Sequence, residues 1–344
     1  MKKRIEWIDL ARGFAIYLVI LGHTIQFIFP EEKFIFRIIY SFHMPLFFIL
    51  CGCTFQIRND QTCLDLIKKK IISYGKPYFI FVIIDLIGMF IKCLKYGVFS
   101  VNVKALFCTV FMTYDSLFSE LWFFPCLFIA EIILYFVYKY ISNIRVRIIA
   151  VILIAFCGYF INTTGILLPL QLDVAMFVQL FIFVGVETKQ FNYNIGLIKE
   201  LIFLFIFLSI NIYIFSVGGI VDGVYKLDVY NPILFIITGI TGTMSSIVVI
   251  KKMAKAHVKL FLKIGRNSAY IYGLHYYLLR ICCKFTERMH FGVKYFNIIF
   301  TFLLSFILMI ITEMIIDIIQ LAENTLVPYT IKLLRGRNEK NNCL

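Results

Sequence analysis

Near the start of the chain, the stretch DLARGFAIYLVILGH (residues 9–23) sets Asp9, Arg12 and His23 into an otherwise apolar run. Aspartate and arginine hold opposite charges at neutral pH, and a histidine with an unperturbed pKa near 6.5 exchanges a proton there. A charge at a bilayer centre costs roughly 2.5–3.5 kcal/mol even on insertion scales, so such residues mark a functional site by default. Arg12 and His23 are 11 residues apart, close to three helical turns, which puts them on one face about 16 Å apart. Asp9 falls within about 40° of that face. Together they form one polar stripe. The plain alternative is an Asp9–Arg12 ion pair at i, i+3 that lowers its own insertion cost, with His23 on a buried carbonyl.

Three further stretches complete the polar inventory. In SFHMPLFFILCGCTF (residues 41–55), His43 precedes Pro45 by two positions. The proline is expected to free a carbonyl inside a helix, and helix rise puts His43 about 14 Å below the outer surface, near the level of His23. LWFFP (residues 121–125) reads at least as an interfacial aromatic anchor. IGRNSAYIYGLHYYLLR (residues 264–280) opens a helix with Asn267 or Ser268 as N-cap and carries His275 two turns in. For His43 and His275 the plain readings are a kink-stabilising and a hydrogen-bonded helix histidine.

The elements that must position these residues follow from composition. The 344 residues are 61% hydrophobic and 16% charged, with a mean hydropathy of +0.89. Spanning helices need about 20 mostly apolar residues each, and such runs recur throughout, starting near Ile5, Phe34, Pro77, Leu121, Ile148, Leu172, Gly196, Pro232, Ser268 and Asn297. The expectation is an all-α, polytopic bundle of about ten transmembrane helices. The stretch from Val98 to Ser119, with Lys104 and Asp115, is a re-entrant or interfacial segment or an eleventh span. One transmembrane domain over residues 1–321 and a basic cytoplasmic tail over 322–344 account for the chain. The first helix carries Asp9 and Arg12 and lacks a small-residue cleavage site, so it reads as retained.

With ten helices, about 23 lysines and arginines fall in one set of breaks and about 6 in the other, which makes the first set and both termini cytoplasmic. The net charge of +14 is therefore a topology signal, and no basic groove or tail points to nucleic acid. Ten cysteines, among them Cys51, Cys53, Cys108, Cys282 and Cys283, lie mostly in apolar runs without paired CxxC motifs, so no metal site is expected.

Taken together, the stretches resemble the acyltransferase family 3 integral membrane proteins, which O-acylate bacterial surface sugars and other acceptors. Arg12 and His23 match the family's basic residue, ten positions and histidine. SFHMPLFFILCG resembles its second signature and LWFF its third; LDVAMFVQLFIFVGVE (Leu172–Glu187) and GRNSAYIYGLH (Gly265–His275) resemble later segments. The order is the family's. Cys51 stands where a small residue such as serine is more usual. An appended periplasmic domain is not expected, so any further partner would come from another chain.

The resemblance implies a bacterial inner-membrane enzyme, multi-pass. It would move an acyl group, acetyl in the first instance, from cytoplasmic acyl-CoA to a hydroxyl of a surface polysaccharide or lipid-linked sugar. Acetyl-CoA is then a donor substrate and no cofactor is tightly bound. Partners are acyl-CoA, the glycan and membrane lipids, with a homo-oligomer left open. In that reading His23 is the general base, since a free alcohol is a poor nucleophile at neutral pH. His43 orients His23 or the acceptor, and Asp9 holds Arg12. Arg12 meets coenzyme A phosphates, joined by Lys263, Arg266, Asn267, Ser268 and His275 around a helix start that favours anions. The 16 Å between Arg12 and His23 is comparable to an extended phosphopantetheine arm. Asp85, Glu131, Glu313 and Asp317 line a cavity or pair between helices. The alternative is a transporter or flippase using Asp85, Glu131 and the histidines, although no inverted repeat supports it; a non-catalytic scaffold would leave Arg12, His23 and His43 without a task.

Overall fold

The computed structural model describes residues 5–30, 32–58, 60–96, 119–166, 168–189, 196–219, 221–223, 226–254, 259–286 and 299–321. Among the described residues, fourteen α-helices carry the fold. In chain order they are α1 (Glu6–Ile28), α2 (Lys33–Tyr40), α3 (His43–Thr54), α4 (Cys63–Lys70), α5 (Lys76–Tyr96), α6 (Phe123–Tyr140), α7 (Ile144–Thr163), α8 (Leu172–Phe177) and α9 (Gln179–Thr188). They continue with α10 (Leu197–Ser216), α11 (Pro232–Ala254), α12 (Lys259–Arg266), α13 (Ser268–Thr286) and α14 (299–321). A two-residue-deep antiparallel hairpin, β1 (Val221–Gly223) and β2 (Asp228–Val229), is the strand structure among the described residues.

Among the described residues, eight helical segments are long and apolar enough to cross a membrane, and α8 with α9, bent by 54°, make a ninth if taken as one span. Each expected helix start falls within a few residues of an observed helix, the ninth at α13 and the tenth at α14, so the protein is an all-α polytopic membrane protein. The segment from Val98 to Ser119 and the tail 322–344 lie almost wholly outside the described residues.

Local signals set the helix ends. Pro30 follows α1 and cannot extend it. Thr62 and Asp65 form a capping box at α4, with amide-to-side-chain bonds of 3.2 and 3.0 Å. Asn231 accepts from the amides of Ile233 and Leu234 ahead of Pro232 at the start of α11. The second span differs from expectation. Pro45 does not kink a continuous helix; the chain breaks at Ser41 and Phe42, and Pro45 sits in the first turn of α3, where no intrahelical donor is needed. At the break Ser41 Oγ donates to the Ile38 carbonyl and His43 Nδ1 to that of Ile39, both at 2.8 Å, the latter carbonyl also accepting from the Phe42 amide at 3.2 Å. The third span carries a π-helical turn, Ile71–Gly75, between α4 and α5.

The core lies around α1, which packs against α3, α11, α12 and α13, whereas α7 and α10 turn most of their surface outward. With lipid as apolar as leucine, such helices associate by close packing at small residues. A Cβ on Gly52 would fall 2.1 Å from the Ile182 carbonyl oxygen, and one on Gly185 2.0 Å from that of Ile49, so α3 and α9 touch backbone to backbone.

The breaks holding most lysines and arginines lie on one side. Arg147 reaches Glu187, Lys252 reaches Glu200, Lys189 donates to the Phe55 carbonyl, and Tyr135 donates to that of Gln61. On the other side Arg37 lies over the Phe215 ring, and Phe29 meets Phe300 edge to face.

Candidate active site

The basic end is built by a second glycine seam. A Cβ on Gly265 would lie 1.7 Å from the Asp9 carbonyl oxygen and one on Gly13 2.3 Å from that of Phe261, so α12 lies directly on the first turns of α1. That crossing brings Arg266 to Asp9, Nε to Oδ2 at 3.6 Å, while Arg12 Nη1 sits 3.8 Å from Oδ1. Asp9, 6% exposed, is thus held between two guanidinium groups. Arg12 Nη2 also donates to Thr54 Oγ1 at 3.3 Å, tying α1 to the end of α3.

A cavity of about 570 Å³ opens here. Arg12, Arg58, Lys69 and Arg266 face it against Asp9 and Asp65, with Thr54, Gln56 and Gln61 supplying neutral polar groups. Four cations against two carboxylates leave a positive field suited to an anion, and guanidinium groups suit phosphate oxygens in particular.

The histidines gather toward the other end of α1. The His23 ring lies 5.4 Å from that of His275 and 6.3 Å from Tyr40, and Tyr40 lies 4.8 Å from His43. A carbonyl only accepts, so in the neutral rings Nδ1 carries the proton where it meets one: His43 donates to Ile39, and His275 donates to Tyr272 at 2.6 Å. His23 Nδ1 meets Gln26 Oε1 at 3.2 Å, and the Tyr40 hydroxyl donates to the same oxygen at 3.3 Å. In all three rings the Nε2 lone pair is left to act as acceptor or base. His43 and His275 are buried at 5% and 1% exposure, while His23 is half-buried and the most accessible of the three.

The remaining residues separate. Lys263 turns away from the cavity to Asp317 and, at 3.6 Å, Glu313; its bond with Asp317 holds the ammonium pKa above the usual lysine range. Asn267 does not cap α13 with its side chain. Its amide donates to Glu313 at 2.8 Å and its oxygen accepts from Gln320 at 3.2 Å, fastening α14 to the α12–α13 joint. Ser268 opens α13 but does not line the cavity. His275 stands with the other histidines instead of at the basic end.

Of the other carboxylates, Glu131 pairs with Lys70 and accepts from the Tyr74 hydroxyl at 3.1 Å, and Asp85 accepts from Tyr277 at 2.5 Å. Sequence reading missed Arg58 and Lys69, whose charges resembled ordinary topology signals, and Gln26 and Tyr40. Gln26 follows His23 at i+3, a spacing that puts two side chains on one face.

The fold is that of a polytopic helical membrane protein, with a basic cavity at one end of its central helix and a histidine cluster toward the other. Residues 5–318 match the family model described as an acyltransferase domain. The chain therefore belongs to acyltransferase family 3, and the protein is a membrane acyltransferase. Comparison with curated proteins and with solved structures gives no match.

Proposed function

We propose that the protein transfers an acyl group, acetyl in the first instance, from cytoplasmic acyl-CoA to a hydroxyl of a surface polysaccharide or a lipid-linked sugar. The observation that carries this reading is the placement of a phosphate-suited cavity and an accessible histidine at opposite ends of one face of α1. The basic side is then cytoplasmic, as the lysine and arginine bias requires. Nucleotide phosphates rest against Arg12, Arg58, Lys69 and Arg266, and the pantetheine arm runs along α1 toward His23.

There His23 Nε2 takes the proton of the acceptor hydroxyl as its oxygen attacks the thioester carbonyl. The C–S bond breaks, the imidazolium returns its proton to the departing thiolate, and an ester and a free thiol leave. Gln26 and Tyr40 hold Nδ1 so that Nε2 faces the substrates. Asp9 keeps Arg12 and Arg266 in place.

The test is transfer of radiolabelled acetyl from acetyl-CoA by protein purified in detergent. General base catalysis is worth about 10²–10⁴ in rate, so His23→Gln, which keeps a hydrogen bond but cannot take the proton, should lose that factor with normal expression and insertion. Wild-type turnover in His23→Gln would make His23 a structural residue and overturn the mechanism. Deleting the gene should likewise lower the acyl content of surface glycans, read by mass spectrometry.

A further inference from the structure

Beside His23, the last turn of α1 and the middle of α13 build a corner that the transfer chemistry leaves unused. The Phe27 ring lies nearly parallel to the His23 ring, with centroids 6.2 Å apart and planes at 25°. Tyr276 stands across both, 5.9 Å from His23 and 5.5 Å from Phe27, at 87° and 77°. Phe27 is 45% exposed, so this corner opens outward. Arg280 lies over the Tyr276 ring at 4.5 Å, one helical turn on, and fixes the ring's attitude by cation–π contact.

Next to the corner is a buried group whose hydrogen-bonding capacity is unspent. His275 is 1% exposed, its Nδ1 is committed to the Tyr272 carbonyl, and its Nε2 is buried without a hydrogen-bond partner. Its ring lies 5.4 Å from His23 and 6.3 Å from Tyr276. Buried polar atoms are almost always satisfied, so an orphan lone pair marks a place for a ligand's donor.

An apolar edge with one or two fixed acceptors matches few molecules. A hydrocarbon chain would leave the Nε2 lone pair unpaired, and an anion would be repelled by it. A pyranose ring has an apolar C–H face for an aromatic wall and hydroxyl donors around its rim. Small-molecule sites generally combine such walls with a few placed polar groups.

We propose that Phe27 and Tyr276 are the walls of the acceptor subsite, against which one hexopyranose ring packs, and that His275 Nε2 accepts from the hydroxyl next to the one His23 deprotonates. The inference rests on the proposed sugar-acceptor activity and deepens it. The preferred acceptor is a hexopyranoside with two adjacent free hydroxyls. His275 acts as a positioning residue through its hydrogen bond.

The probes are methyl hexopyranosides and, as an acceptor too small to use the walls, glycerol, each with radiolabelled acetyl-CoA and full-length protein in detergent. A lost aromatic contact of about 0.5–1.5 kcal/mol corresponds to up to about tenfold. Tyr276→Leu and Phe27→Leu should therefore cut discrimination between glycoside and glycerol by about that factor, through the glycoside KM, while the acetyl-CoA KM stays unchanged. Tyr276→Phe keeps the wall and should restore discrimination. His275→Gln, which retains an acceptor, should keep more of the preference for the glycoside over its monodeoxy analogue than His275→Leu does. Unchanged discrimination in both wall variants, with wild-type melting temperatures, overturns the subsite while leaving the sugar-acceptor activity standing. A wild-type enzyme that acylates glycerol but no glycoside overturns the sugar-acceptor activity itself, and the subsite with it.

Discussion

Gly22→Ala tests whether the His23 machinery depends on how α1 meets α2. A Cβ at position 22 would fall 2.8 Å from Cε2 of Tyr40, so the ring must retreat by about 0.6 Å to reach ordinary contact. It has little room, being stacked on Phe36 at 3.9 Å and packed at a tilt against His43 at 4.8 Å. Its hydroxyl bonds to Gln26 and His23 are already 3.3 and 3.4 Å long, so the same shift carries them beyond hydrogen-bonding range. Overpacking of this kind costs about 1–3 kcal/mol of stability. A misplacement near 1 Å costs about 10²-fold in rate, and the smaller shift here gives an expected fall in kcat of about ten- to a hundredfold. The acyl-CoA KM should stay put, because the basic cavity lies at the other end of α1. Steady-state transfer kinetics with a melting curve read both effects. Tyr40→Phe removes the hydroxyl without crowding and should lower kcat by about fivefold, the equivalent of one net hydrogen bond near 1 kcal/mol. A folded Gly22→Ala enzyme with wild-type kcat would refute the idea that Tyr40 and Gln26 aim His23.

Two further perturbations probe the opposite end and the orientation. Arg12→Ala removes a charge-assisted contact worth about 1.5–3 kcal/mol, so the acyl-CoA KM should rise about ten- to a hundredfold in steady-state assays; a normal donor KM with a raised acceptor KM would contradict the assignment. Reporters fused after Arg147 and after Lys263 should read cytoplasmic and one inserted near Asp222 external, an external signal at Lys263 being the contrary result.

The spans were legible because lipid imposes length and apolarity on every one of them. The breaks within them were not. Apolar composition runs unchanged through Ser41 and Phe42, and through Leu170 and Gln171, whose φ values of 56° and 59° turn the chain into α8. Arg12 and His23 could be placed on one face from helix geometry alone, and Asp9 beside Arg12 likewise. Arg58 and Lys69 could not be assigned, because a positive-inside loop and an anion-suited cavity use the same residues; Arg266 was grouped with Lys263 at the coenzyme A site, and only the Gly13–Gly265 crossing separates the two, taking Arg266 to Asp9 while Lys263 turns to Asp317. His275 was grouped with that loop because its helix start was visible, whereas its nearness to His23 depends on how α13 lies along α1. Glu131, Lys70 and Tyr74 meet across two spans, a relation that no spacing encodes.

The π turn at Ile71–Gly75 acts as a phase shift in the third span. One extra residue there turns everything downstream by about 100° relative to an uninterrupted α-helix. Phe81 packs on Gly273, and Asp85 accepts from Tyr277, only because α5 starts in that shifted phase. Shortening the span by a single residue would leave its hydropathy almost untouched while rotating both contacts off α13, so in this protein chain length within a helix carries information that composition does not.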